Sequence, residues 1–129
     1  MGSKKRVIVL IAGMLILAIV AASCQSTQEP EGPPDGNYSK SGYLLTLDQG
    51  HYTVRDFEEG SYTVDGDQIT FNVEEMSADA QDYCAGISIY TYQWTFDEQN
   101  NLLSFKPVDD PCSTRQNQNT LGGWTYSEP

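Results

Sequence analysis

Basic side chains are scarce in this sequence: seven Lys and Arg stand against 18 Asp and Glu, a formal net charge of −11. Nucleic-acid binding draws its affinity from Lys and Arg neutralising phosphates, so no nucleic-acid partner is expected. Histidine is scarcer still. His51 is the only one, which rules out a His-rich metal site and reads as an exposed strand-edge residue. A Ser–His–Asp triad would have to rest on that one turn-adjacent side chain. A Gly-rich phosphate loop is missing too, because the glycines stand at turn positions with no Lys or helix pattern after them. Asp65-Gly66-Asp67 lacks the spaced oxygen donors of a calcium loop and reads as a tight hairpin turn. The neighbouring acids Glu58-Glu59, Glu74-Glu75 and Asp109-Asp110 point to opposite faces on a strand or stand solvated in turns. Glycoside cleavage needs two carboxyls facing each other across a cleft. No enzyme, metal or cofactor is expected.

Long apolar runs are absent beyond residue 23, but one leads the chain. Lys4-Lys5-Arg6 precedes an uncharged stretch over residues 7–20, and Ala21-Ala22-Ser23-Cys24 follows. That order is the order of a secretory signal peptide. As a helix the run reaches only about 21 Å, short of the roughly 30 Å hydrocarbon layer. The small residues before Cys24 resemble a bacterial lipobox, with Ala21 standing where Leu is commoner. The resemblance implies a lipoprotein signal peptide over residues 1–23, with Cys24 lipidated as the first mature residue. Two or more acyl chains anchor stably where one does not. The protein is then exported and held on the cell membrane or outer membrane, facing the periplasm or the exterior. Gln25 is not the Asp that marks inner-membrane retention in many such proteins. The alternative is an ordinary signal peptide cut near Ser23.

Cleavage would remove three cations, leaving four against 18 carboxylates and a net charge of about −14. Such a surface favours solubility or a basic partner. Residues 24–36 are rich in Gln, Ser, Glu, Pro and Gly, with nothing apolar after Cys24. They read as a disordered tether, because no buried surface offsets their ordering entropy. Cys84 and Cys112 remain as an even pair in an oxidising compartment and are expected to bridge. Such a bridge contributes about 3.5 kcal/mol in the chain-entropy model.

Residues 37–129 read as one all-β domain. Gly50-His51-Tyr52-Thr53-Val54 and Gly60-Ser61-Tyr62-Thr63-Val64 are near copies, each with Gly read as a turn exit. Ile69, Phe71 and Val73 alternate with polar residues, the period of a half-buried strand. Strands are expected near 37–40, 42–48, 51–57, 61–65, 68–75, 87–97, 102–108 and 120–127, with residues 75–86 a short helical turn or a lid-like loop. Hairpins join most of them, so the eight form an antiparallel meander, and closure into a barrel removes both exposed edges. An eight-stranded interior holds side chains or one small ligand.

From Cys84 to Trp124 the chain is similar to small lipocalin-like (calycin-type) barrels of exported bacterial proteins. The Gly-x-Tyr repeats, Tyr92-Gln93-Trp94, Asp110-Pro111-Cys112-Ser113-Thr114-Arg115 and the closing Trp124 carry the likeness. It implies a barrel pocket for a small hydrophobic ligand, lined by Tyr52, Tyr62, Phe71, Tyr92, Trp94, Phe105 and Trp124, although core packing is the plainer use of the same rings. Arg115 is expected over a barrel-end aromatic as a cation–π contact. Two functions follow: an envelope-anchored binder of a small hydrophobic ligand, or an acidic surface protein that docks on or inhibits a basic protein, as lysozyme-inhibiting lipoproteins do.

Overall fold

The computed structural model describes residues 32–128, so residues 1–23, Cys24 and the first part of the tether reading lie outside the described residues. The elements are β1 (Gly36–Lys40), β2 (Tyr43–Asp48), β3 (His51–Val54), β4 (Glu58–Asp65), β5 (Gln68–Met76), α1 (Ala78–Cys84), β6 (Ile89–Asp97), β7 (Leu102–Asp109), α2 (Ser113–Thr120) and β8 (Trp124–Ser127). Each strand pairs with the next, and β8 returns to β1 with Tyr126 opposite Tyr38, closing the barrel. The expected all-β, eight-stranded antiparallel meander with one disulfide is the observed fold.

Tight turns set its register. Ser41 and Gly42 (φ 49° and 88°) and Gln49 and Gly50 (φ 47° and 83°) have positive φ at both central positions, as I′ hairpins require. In the Asp65-Gly66-Asp67 hairpin, Gly66 takes the first central position with φ 60°.

The sequence repeat misleads at its second copy. Gly60 is no turn exit. It lies inside β4 beside a register shift, where a Cβ would come within 2.0 Å of the Asn72 carbonyl oxygen. β4 therefore begins at Glu58 rather than at residue 61, and it is the buried face of that extension that carries Glu58.

Two short helices close one end of the barrel, hereafter the helical end. Ser77 caps α1 by accepting from the Ala80 N–H at 3.1 Å, so the irregular 75–86 stretch holds a true helix. The polar residues around Arg115, to which the sequence assigns no element, form α2. Cys84 at the end of α1 bridges to Cys112 at the N-cap of α2, with Cα atoms 5.3 Å apart.

At the opposite end residues 32–35 lie across the opening as a strap. Pro33 is buried, the Tyr38 hydroxyl donates to the Pro34 carbonyl, and Tyr62 and Tyr126 donate to Asp35 at 3.2 Å each. The last residues of the segment read as a tether are thus held against the barrel.

Side chains fill the middle. Phe71 has the rings of Tyr52, Tyr62, Tyr90, Tyr92 and Phe105 around it, at centroid distances of 4.8–6.4 Å. Leu45, Leu47, Val54, Ile69 and Leu103 complete the core.

Candidate functional site

Inside the helical end sits a cluster of charge. In β4 the parity that turns Tyr62 and Val64 toward the core also turns Glu58 inward. Asp110 follows β7, and Arg115 projects from the first turn of α2. All three side chains are sealed from solvent. Arg115 donates from Nη2 and Nε to Glu58 Oε2, at 2.9 and 3.2 Å, and from Nη1 to Asp110 Oδ1 at 3.4 Å. Its guanidinium lies 4.0 Å from the centroid of Tyr90, the expected cation–π contact.

Phenols occupy the remaining oxygens. Tyr90 and Tyr52 donate to Glu58 Oε1, and Tyr92 donates to Asp110 Oδ2. The Cys112 N–H donates to Asp110 Oδ1 at 3.0 Å, turning the chain into α2. Burial pushes the Tyr52, Tyr90 and Tyr92 hydroxyls well above their ordinary value, and the adjoining carboxylates add to the shift. For Arg115 burial opposes the charge, but Glu58 and its other neighbours more than offset this and raise its pKa.

Every carboxylate oxygen in the cluster therefore has a donor. The arrangement is a satisfied buried ion network that fixes α2 over the barrel mouth. Of the alternatives for these neighbouring acids, opposite faces of a strand or solvated turns, Glu58-Glu59 follows the first. In each of Glu58-Glu59 and Asp109-Asp110 one member is buried and ion-paired rather than solvated. Parity counted back from Tyr62 and Val64 would have placed Glu58 inside. Asp110 stood on no periodic segment and gave no such signal.

The residues singled out as ligand-lining fall into two groups. Tyr52, Phe71, Tyr92, Phe105 and Trp124 are buried in the core. The Trp124 Nε1 donates to the Asn119 carbonyl at 3.2 Å. Tyr62 and Trp94 are half-buried at the edge of that core: Tyr62 binds the strap, and Trp94 Nε1 donates to the Gly66 carbonyl at 3.2 Å. His51 is exposed at the start of β3.

The barrel wall has a seam. β7 pairs with β8 only through Leu102 and Leu103, so the ladder stops where Gly122 and Gly123 lead into β8. A cleft of about 430 Å³ opens there, lined by Gln93, Thr95, Ser104, Phe105, Lys106, Thr120 and the two glycines. Lys106 and Pro107 continue the open edge of β7, a charge and a missing N–H that discourage another strand from pairing. Nearby in the fold, Lys40 lies 4.7 Å over the Trp124 ring. Burial lowers its pKa to about 8, and its Nζ has no hydrogen-bond partner among the described residues.

Comparison of the chain with family models, with curated proteins and with solved structures returned no match. The function must be argued from the site itself.

Proposed function

We propose that this chain is an exported lipoprotein, lipidated at Cys24, whose barrel serves as an acidic docking module for a basic protein partner outside the cytosol. The observation that supports the docking role is the division of charge between interior and surface. Of the four cations among the described residues, Arg115 is enclosed by Glu58 and Asp110, and the Lys40 amine is turned onto Trp124. Among the described residues only Arg55 and Lys106 are exposed cations, while all described carboxylates other than Glu58 and Asp110 lie at or near the surface. Such a field attracts cationic proteins and accelerates their encounter. The filled interior agrees with it, since the rings that would line a central pocket already pack on one another.

The test is binding to lysozyme, a basic protein, at increasing salt. The reading expects affinity to fall at least about tenfold between 0.05 and 0.5 M salt as surface charges are screened. Binding that is absent at low salt would remove the docking role. Fatty-acid labelling tests the anchor separately, with Cys24→Ser expected to abolish incorporation.

A lipocalin-like role in binding a small hydrophobic ligand is the second reading. The seam cleft favours it, because it reaches Phe105 through a gap in the β7–β8 ladder. Native mass spectrometry of the protein purified from its own membrane would reveal such a ligand as added mass.

A further inference from the structure

Five large hydrophobic side chains are exposed among the described residues: Tyr43, Tyr83, Ile89, Val108 and Leu121. Three of them stand on the two segments that the Cys84–Cys112 bridge and the Thr91–Asp109 pairing hold side by side. Tyr83 is 65 % exposed, Ile89 59 % and Val108 51 %. Tyr83 is the penultimate residue of α1, next to the disulfide, Ile89 opens β6, and Val108 lies near the end of β7. Residues 83–91 and 108–112 run beside each other. The Cys84–Cys112 bridge joins them at one end, and the pairing of Thr91 with Asp109 joins them at the other. Between these points the Ile87 N–H donates back to the Cys84 carbonyl at 3.2 Å, and Arg115 Nη2 donates to the Ile87 carbonyl at 3.4 Å. The patch stands on a rigid base.

Alternation explains why Val108 is outside: Leu103 and Phe105 point into the core, so Ser104, Lys106 and Val108 share the outer face. The β6–β7 register shifts between Thr91 and Tyr92, which face Asp109 and Pro107, so Val108 is the extra residue. The bulge turns Asp109, opposite Thr91, to the outer face as well. Ile89 is opposite Asn72 on the outer face, where no apolar neighbour covers it. Exposed apolar groups that cluster on a rigid base, rimmed by polar residues, mark interaction sites. The rim carries three exposed acids, Asp79 and Asp82 on α1 and Asp109 beside Val108, against one cation, Lys106, two residues back along β7.

We propose that the Tyr83–Ile89–Val108 patch is the docking surface, and that its occupant is a cationic segment of a partner protein carrying an aliphatic or aromatic anchor. The apolar trio receives the anchor, and Asp79, Asp82 and Asp109 pair with flanking Lys or Arg. Charge complementarity selects this occupant: a second copy of the chain would bring the same carboxylates face to face, and like-charge juxtaposition opposes that contact. The assignment rests on the acidic docking role proposed above and gives it an address.

The experiment uses the intact protein with two synthetic peptides of equal charge, one alternating Lys and Leu and one of Lys and Gly. Ile89→Thr with Val108→Thr keeps strand propensity and removes the apolar surface, and an unchanged melting temperature confirms the fold. The wild-type protein is expected to bind the Lys/Leu peptide at least about tenfold more tightly than the Lys/Gly peptide, and the double variant to lose that preference. Equal binding of both peptides by the wild type, or an undiminished preference in the variant, overturns the patch while leaving charge-driven docking in place. Failure of both peptides at low salt overturns both. Self-association of the wild type that the double variant abolishes would reassign the patch to a second copy and overturn the cationic occupant.

Discussion

At the helical end of this barrel a guanidinium, two carboxylates and three phenols are packed out of water, and a disulfide ties the covering helices together. At the strap end the closure is lighter: a short segment crosses the opening, held by the buried Tyr38 hydroxyl and by those of Tyr62 and Tyr126, which remain within reach of solvent. The two closures differ in what a single loss exposes. A buried ion network punishes the removal of one partner, because the charges left behind have no water to turn to. A half-exposed hydroxyl contact is exchanged for a water contact at small cost.

Substitutions can break this contrast. Arg115→Leu leaves Glu58 and Asp110 buried without a counter-charge and is expected to cost about 3–5 kcal/mol, read as a shift of the urea midpoint. Replacing Cys84 and Cys112 by Ser together is expected to cost about 3.5 kcal/mol, with the difference from wild type vanishing under reducing conditions. At the other end Asp35→Ala removes the acceptor of the Tyr62 hydroxyl and should cost only about 0.5–1.5 kcal/mol by the same measurement. Were Asp35→Ala to equal Arg115→Leu, the two ends would not differ as described.

A pH titration sharpens the comparison from within the helical end. Burial lowers the Lys40 pKa from 10.5 to about 8. Below pH 8 the amine is charged both folded and unfolded, and its burial opposes folding. Between about 8 and 10.5 the unfolded chain holds the proton that the folded chain has released, so stability rises with pH across that window. The phenols act in the other direction. Their folded pKa values lie above the ordinary 10.0, so stability falls once the unfolded tyrosines begin to ionise. Thermal midpoints between pH 7 and 9, below tyrosine ionisation, should rise slightly for the wild type and stay flat for Lys40→Met, the smallest of the expected effects.

Much of the barrel is legible in the sequence, because two-residue turns and strict alternation encode strands locally. Gly50 and Ile69–Phe71 are cases where neighbouring residues settle the outcome. Gly60 is the instructive failure. It repeats the Gly50 motif, yet it serves the approach of a neighbouring strand, a requirement that belongs to tertiary structure. The same limit hid the ion network. Arg115 lies 57 positions from Glu58, and no local pattern announces that the mouth of the barrel brings them together. The aromatic residues were visible as a set, but their packing around Phe71 depends on which strands face one another across the interior. Alternation with Leu103 and Phe105 puts Val108 on the outer face, but nothing local announces the bulge that keeps Asp109 there too.

Asn37 faces Ser127 across the β1–β8 ladder, so the first and last strands begin and finish side by side at the strap end. A short flexible linker could join them, and the chain could be reopened at Ser41-Gly42, a hairpin tip on the opposite side. Such a circular permutant would keep every strand pairing while moving both chain ends next to α1 and α2. Fused to a support through its new start, it would present the strap outward and turn Tyr83, Ile89 and Val108 toward the surface that carries it.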